Sequence, residues 1–501
     1  MGEVNLTFDN TFAEQFPELC QPWSANAIEN PVTILVNEPL AHQLGIEPAI
    51  LSSRAGADLM SGTGTPSGAR PVAQAYAGHQ FGGYSPRLGD GRALLIGEII
   101  DPTGRRFDLH LKGSGRTPFA RGGDGKAVLG PMVREFIIGE AMYGLGIPTT
   151  RALGVVATGE SIAREALLPG GILARIASSH IRVGTFQYAA GLREEGLVRR
   201  LADYVMARHP SQFTESDDDP DRYLAFLESI VVRQAHLIAR WMLVGFIHGV
   251  MNTDNMTVSG ETIDFGPCAF MDAYDPATVF SSIDTGGRYA YGNQPQIGQW
   301  NLARLAETLL PLIDEDQEKS IEKAMAVLQR YPDVFQDSWA SGMRSKLGLP
   351  STTHDPEADT ALFNDLLALM HAETVDYTSF FRRLADSVRT SGPTAPSSEL
   401  RLLFLGSPAF DEWFARWIRA LEANSVDLAD VPTTMDAVNP VYIARNHVVE
   451  AALTAAMDGD VTATLRLVER LRQPFTEVAG FEDLAGPAPA EFAGYRTFCG
   501  T

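Results

Sequence analysis

His248 to Gly266, HGVMNTDNMTVSGETIDFG, decides how this chain is read. His248 and Asn255 stand seven residues apart, and Asp264, nine residues past Asn255, opens an Asp-Phe-Gly. One amide oxygen and one carboxylate are the hard ligands magnesium takes when phosphate oxygens complete its shell. Near a turn such a pair is more often a cap than a ligand set. The histidine, the run Thr257-Val258 and the Asp-Phe-Gly around it carry this pair past that bland reading.

The same spacing occurs in the catalytic loop of protein kinases, His-x-Asp-x-x-x-x-Asn, where the Asp takes the acceptor hydroxyl's proton and the Asn and a later DFG Asp hold metal. The base position here is Val250, and a valine accepts no proton. Either the site is inert or another residue serves a different transfer. Asp254, immediately before Asn255, is the candidate.

At 501 residues and 45% hydrophobic content the chain can build a sizeable core over two or three domains. Its net charge of −22 and pI near 4.9 oppose any general affinity for nucleic acid or anionic membrane. A phosphate site must therefore be a local basic pocket. No run of about 18 apolar residues occurs, and the N-terminus has neither a basic nor an apolar leader region, so a cytoplasmic protein is expected. Leu6 stands where a myristoylation signal needs Ser or Thr. Cys20, Cys268 and Cys499 are too scattered for a disulfide framework or zinc site and read as independent thiols.

The expected fold class is α+β. Residues 1–65 form a mixed N-terminal extension ending in SGTGTPSGAR. A β-rich lobe spans 66–190, a helical lobe with the His248 loop spans 191–345, and an α-helical extension spans 346–501. In the β-rich lobe, Arg92 to Ile100 and Arg106 to Leu111 predict a hairpin across DPTG. Gly113 to Gly130, with six glycines, must be loop. A helix follows from Pro131, its apolar spacing running through Met132, Phe136, Ile137, Ala141 and Leu145. Ala152 to Ala157, Ile162 to Leu168 and Gly171 to Ala177 predict strands. Arg222 to Phe246 predicts a long helix running into the His248 loop.

Gly89-Asp90-Gly91-Arg92 is a glycine turn entering a strand, able to bring backbone N–H groups to phosphate. Alone it is an ordinary hairpin turn. Lys112, 21 residues past Gly91, and Glu135, 23 beyond that, give it the layout of a Gly-rich loop, strand lysine and helix glutamate. Glu140 rivals Glu135. A further basic set, Arg116, Arg121, Lys126, Arg175 and Arg182, suggests that a terminal phosphate is held in the β-rich lobe, the reverse of the usual nucleotide placement. Asp124 and Gly125 help shape that pocket.

Five blocks, YAGHQFGGYSPRLGDGR (76–92), LHLKGSGRTPFARGGDGKA (109–127), GGILARIASSHIRVGTFQY (170–188), HGVMNTDNMTVSGETIDFGP (248–267) and SSIDTGGRYAYGNQPQIGQWNLARLAE (281–307), resemble the selenoprotein O family. The resemblance implies a protein-kinase-like two-lobe fold that binds ATP in a flipped orientation and transfers AMP to Ser, Thr or Tyr hydroxyls of proteins. It places nucleotide contacts on Gly89, Gly91, Arg92, Lys112, Asp124, Gly125, Arg175 and Arg182, the base on Asp254, and magnesium, with manganese as alternative, on Asn255 and Asp264. Where many eukaryotic members carry selenocysteine this chain has Cys499, which implies a redox role there, with Cys268 or Cys20 as partner. The chain is expected to act as a monomer on protein substrates. Two other readings stand: a conventional phosphotransferase, against which Val250 argues, and a nucleotide-binding pseudokinase scaffold without chemistry.

Overall fold

The computed structural model describes residues 6–213, 219–352, 355–492 and 494–498. Among them an antiparallel sheet gathers eight strands: β1 (Phe8–Asp9), β2 (Cys20–Pro22), β3 (Val32–Val36), β4 (Val72–Gln74), β5 (Ala93–Ile100), β6 (Arg106–Lys112), β7 (Arg151–Ala163) and β8 (Leu167–Ala177). They lie in the order β2-β4-β5-β6-β8-β7-β3, with β1 added on β5. Residues 8–36 thus supply three strands, and the sheet draws on the segment ahead of position 66.

The β5–β6 hairpin forms where alternation and DPTG predict it. Asp101 Oδ1 accepts from the N–H of Thr103 and of Arg105, both at 2.9 Å, the local bond that makes Asp a turn residue. Register sets Ala93 of β5 and Leu173 of β8 on either side of Lys112, and His110 opposite Arg175. Ile162 to Leu168 is not one strand. β7 ends at Ala163 and β8 begins at Leu167, with Arg164 N–H donating to the Ala166 carbonyl at 2.9 Å. A turn made without Gly or Pro leaves no punctuation to read.

The Leu129–Gly144 helix is buried along nearly its whole length. One side faces the sheet, and the other is roofed by the Asn446–Met457 and Thr462–Leu471 helices, whose Val449, Leu453, Leu467 and Leu471 join the same core. A Cβ at Gly144 would lie 2.0 Å from the Leu471 carbonyl oxygen, so only glycine admits that contact.

Below the sheet, the Arg222–Leu243 helix buries Phe226, Leu227, Ile230, Val231 and Ile238 and delivers the chain to Phe246–Ile247. This two-residue strand pairs antiparallel with Ala269–Phe270. The pair closes the segment from His248 to Cys268 into a loop with fixed ends. Later helices form a second core around Phe380, Phe410, Trp413 and Trp417. No described helix is long and apolar enough to cross a membrane.

Candidate active site

The strand end, the buried helix and the closed loop meet at Asp264. Lys112 Nζ donates to Glu135 Oε2 and to Asp264 Oδ1, each at 2.7 Å. Arg175, one strand over, reaches Glu135 Oε1 at 3.1 Å and Asp264 Oδ1 at 3.2 Å. Arg182, on the residue before the Val183–Leu192 helix, reaches Asp264 Oδ2 at 3.2 Å and the Asp254 carbonyl at 2.9 Å, its guanidinium lying 4.5 Å from the Tyr76 ring centre. Burial alone would raise the Asp264 carboxyl; Lys112, Arg175 and Arg182 outweigh it and hold the group well below the usual carboxylate range. Asp264 also has φ +63°, a left-handed conformation that costs a non-glycine residue about 1–3 kcal/mol and clusters at functional sites.

Glu135, not Glu140, is the partner of Lys112. Glu140 faces away, bound by Arg151 at 2.7 and 2.8 Å and by Arg472 at 2.7 Å.

Asp254 sits on a single 3-10 turn, Thr253–Asn255. Gln80 Nε2 donates to its Oδ2 at 3.3 Å, while Oδ1 is buried with no hydrogen-bond partner. Burial pushes its carboxyl up to about 6, with Arg182 pulling the other way. The neighbours of Asp254 are fixed by side chains: Thr253 hydroxyl donates to Gln187 Oε1 at 2.7 Å, and Asn252 Oδ1 accepts from Tyr289 Oη at 2.6 Å. His248 Nε2 bonds the Ile263 carbonyl at 2.9 Å and its Nδ1 accepts from Val250 N–H at 3.4 Å, so this neutral ring ties the start of the loop to the residue before Asp264. Asn255 Nδ2 donates to the Val250 carbonyl at 3.0 Å, committing the amide nitrogen and leaving its oxygen for other ligands.

The glycine turn lies beside Lys112: Gly113 N–H donates to the Arg92 carbonyl at 2.7 Å. Gly89 has φ +120°, and a Cβ there would meet Phe119 at 2.6 Å; this glycine lets the turn pack under the long loop. Asp124 and Gly125 shape that loop from outside. Asp124 grips Arg164 through both oxygens at 2.8 and 3.1 Å, and Gly125 packs where a Cβ would lie 2.2 Å from Arg116 N. Of the five basic residues singled out in sequence, only Arg175 and Arg182 converge on Asp264. Arg116 and Arg121 are exposed, and Lys126 pairs with Glu160 at 2.9 Å. Cys268 and Cys20 are buried thiols, both pushed up to about 12 by burial. Cys499 lies outside the described residues. Gln80, Tyr76, Asn252 and Tyr289 escape sequence reasoning; the glycines around HQFGGY were the available signal.

Three cations converged on Asp264 and a buried carboxyl raised toward neutrality at Asp254 make an arrangement suited to a transferase that works on nucleotides. The chain matches the family model described as protein adenylyltransferase SelO over residues 3–472. It belongs to the SelO family and is an enzyme, a nucleotidyltransferase. It is 55% identical over 504 residues to the protein nucleotidyltransferase YdiU of Mycolicibacterium smegmatis, spanning 100% of this chain and 99% of that protein. Proteins of the same name from Cereibacter sphaeroides and Pseudarthrobacter chlorophenolicus are 56% identical over 500 residues and 51% over 505, with 99% and 100% of this chain and 100% and 99% of theirs covered.

Proposed function

We propose that this enzyme transfers AMP from ATP to Ser, Thr or Tyr hydroxyls of proteins, on a two-lobe, protein-kinase-like frame with the nucleotide turned end for end. The observation that carries this is the convergence of Lys112 and Arg175, from the sheet, and of Arg182, from the start of the helix that follows it, on Asp264, combined with Val250 at the ordinary base position. Such a frame stabilises whichever phosphorus lies between metal and acceptor oxygen. Cations gathered under the sheet suit the β- and γ-phosphates, which leaves the α-phosphorus at the acceptor.

Asp254 then serves as base. A carboxyl that titrates near 6 is mostly ionised at neutral pH and still basic enough to take a hydroxyl proton. The acceptor oxygen forms a bond to the α-phosphorus, the bond from that phosphorus to the bridging oxygen breaks, pyrophosphate leaves, and the hydroxyl proton goes to Asp254. Asn255, with its amide oxygen uncommitted, and Asp264 fit a magnesium ion that phosphate brings with it; the ion's contribution is to neutralise charge on the phosphates. We assign Gly89, Gly91, Arg92, Asp124 and Gly125 to the nucleotide pocket, the first three through their place beside Lys112. Thr497 Oγ1 donates to the Pro267 carbonyl at 2.7 Å, beside Cys268.

ATP labelled at the α or the γ position, offered with a hydroxyl-bearing protein, tests the reading. Label on protein from the α position alone is expected; label from the γ position alone overturns it.

A further inference from the structure

The Gly78–Gln80/Gly83–Ser85 hairpin reaches over the catalytic loop and is fastened along its inner edge. His79 N–H donates to Thr253 Oγ1 at 2.7 Å, Gln80 Nε2 to Asp254 Oδ2 at 3.3 Å, and Phe81 N–H to Asn252 Oδ1 and Tyr289 Oη at 3.2 and 3.1 Å. The tip is bare. Phe81 is 39% and Tyr84 49% exposed, and Phe81 has φ +51°. Two exposed rings on a tip pinned in an unfavourable conformation, next to a catalytic carboxyl, are what a binding surface looks like.

Arg288 lies against that tip, its guanidinium carbon 3.7 Å from where a side chain at Gly82 would begin. Its plane also covers the Trp300 ring at 4.9 Å, with Arg304 over the same ring at 5.0 Å. Arg304 is paired with Glu307 at 2.7 Å. Arg288 forms no ion pair with a described carboxylate: nearby Asp284 spends its oxygens on the N–H groups of Arg288 and Tyr289, at 2.9 and 2.8 Å. In a chain of net charge −22, an arginine in this position is a local exception to the field. His79 is affected by it; burial first, then Arg304 and Arg288, make the ring harder to protonate.

Gln80 touches Asp254 and Gly82 lies beside Arg288, and these residues are two apart across the turn, at most ~7 Å. A substrate segment laid along the hairpin advances ~3.3 Å per residue. With its acceptor at Asp254, the residue two or three positions away meets Arg288.

We propose that the hairpin tip and Arg288 dock the protein substrate, taking an extended segment whose acceptor hydroxyl is flanked two or three residues away by Asp or Glu, with an apolar side chain resting on Phe81 and Tyr84. The guanidinium pairs with a carboxylate through two N–H groups, a geometry a lysine does not offer. The inference rests on the AMP-transfer reading of Asp254 and adds the acceptor's sequence to it.

The test uses the full chain, α-labelled ATP and peptides with a single Ser, flanked on either side at the second and third positions by Glu or by Lys. The unmodified enzyme is expected to use the Glu peptides about tenfold better in kcat/KM, mainly through KM, and Arg288→Glu to reverse the order. Phe81→Asn, which keeps a left-handed-tolerant residue at the tip, raises KM for both peptide sets, while ATP affinity by calorimetry is unchanged in either variant. Equal use of Glu and Lys peptides, or an order that survives Arg288→Glu, overturns the inference alone. Label on no peptide overturns it together with the transfer reading.

Discussion

Asp254→Asn is expected to make the protein more stable and, at the same time, inactive. In the folded chain the Asp254 carboxyl loses its proton near 6 instead of 3.8, because burial disfavours the charge. The difference of 6 − 3.8, about 2, corresponds to ~3 kcal/mol at 1.36 kcal/mol per unit, the cost of keeping this group ionised inside the fold. Since the folded chain holds the proton more tightly than the unfolded one, its stability falls as pH rises from about 4 to about 6 and then levels off. Asn has the same shape, never ionises and bears none of that cost. The variant therefore gains up to ~3 kcal/mol at pH 8, about half of that at pH 5, and little near pH 4. Urea unfolding at pH 5 and pH 8 reads the gain, and α-label transfer reads the loss of activity. Equal urea midpoints at pH 8, or a gain that does not shrink at pH 5, would refute the argument that burial strains this carboxylate for function.

Three other outcomes follow from the same geometry. Asp264→Ala is expected to abolish the magnesium-dependent part of ATP binding; calorimetry with and without the metal checks it, and an unchanged magnesium effect counts against Asp264 as ligand. Lys112→Met leaves Glu135 and Asp264 short of a shared cation, so it costs about 3 kcal/mol of stability by chemical denaturation and weakens ATP binding at least tenfold. Gly78→Ala puts a Cβ 2.5 Å from Asp254 Oδ1; it is expected to lower kcat about 100-fold through displacement of the carboxyl, with ATP affinity by calorimetry kept.

What the chain reveals without coordinates is what local spacing encodes. Lys112 at a strand end, Glu135 on the helix after a glycine loop, and the His248–Gly266 segment are legible because each depends on residues within a few positions of one another. The choice between Glu135 and Glu140 is not, since both are buried on one helix and only the distant Arg151 and Arg472 claim the second. Local pattern alone does not separate Arg175 and Arg182 from Arg116 and Arg121, and only the family resemblance singles them out, because which basic side chains turn inward is set by sheet register and loop closure. Gln80 meets Asp254 across 174 residues of chain, and no local pattern announces such a pairing. The strands within residues 8–36 were hidden for the same reason: two- to five-residue strands acquire their meaning from partners far along the sequence.

The Leu129–Gly144 helix has a consequence for control. Pinned between the sheet and the two late helices, and tied to them by Arg134 through Glu450 and Tyr495, it has no room to swing. Enzymes that switch by tilting such a segment break their lysine–glutamate bond to turn off. Here the same packing that builds the core clamps the helix on both sides, and with it the glutamate end of the Lys112–Glu135 ion pair.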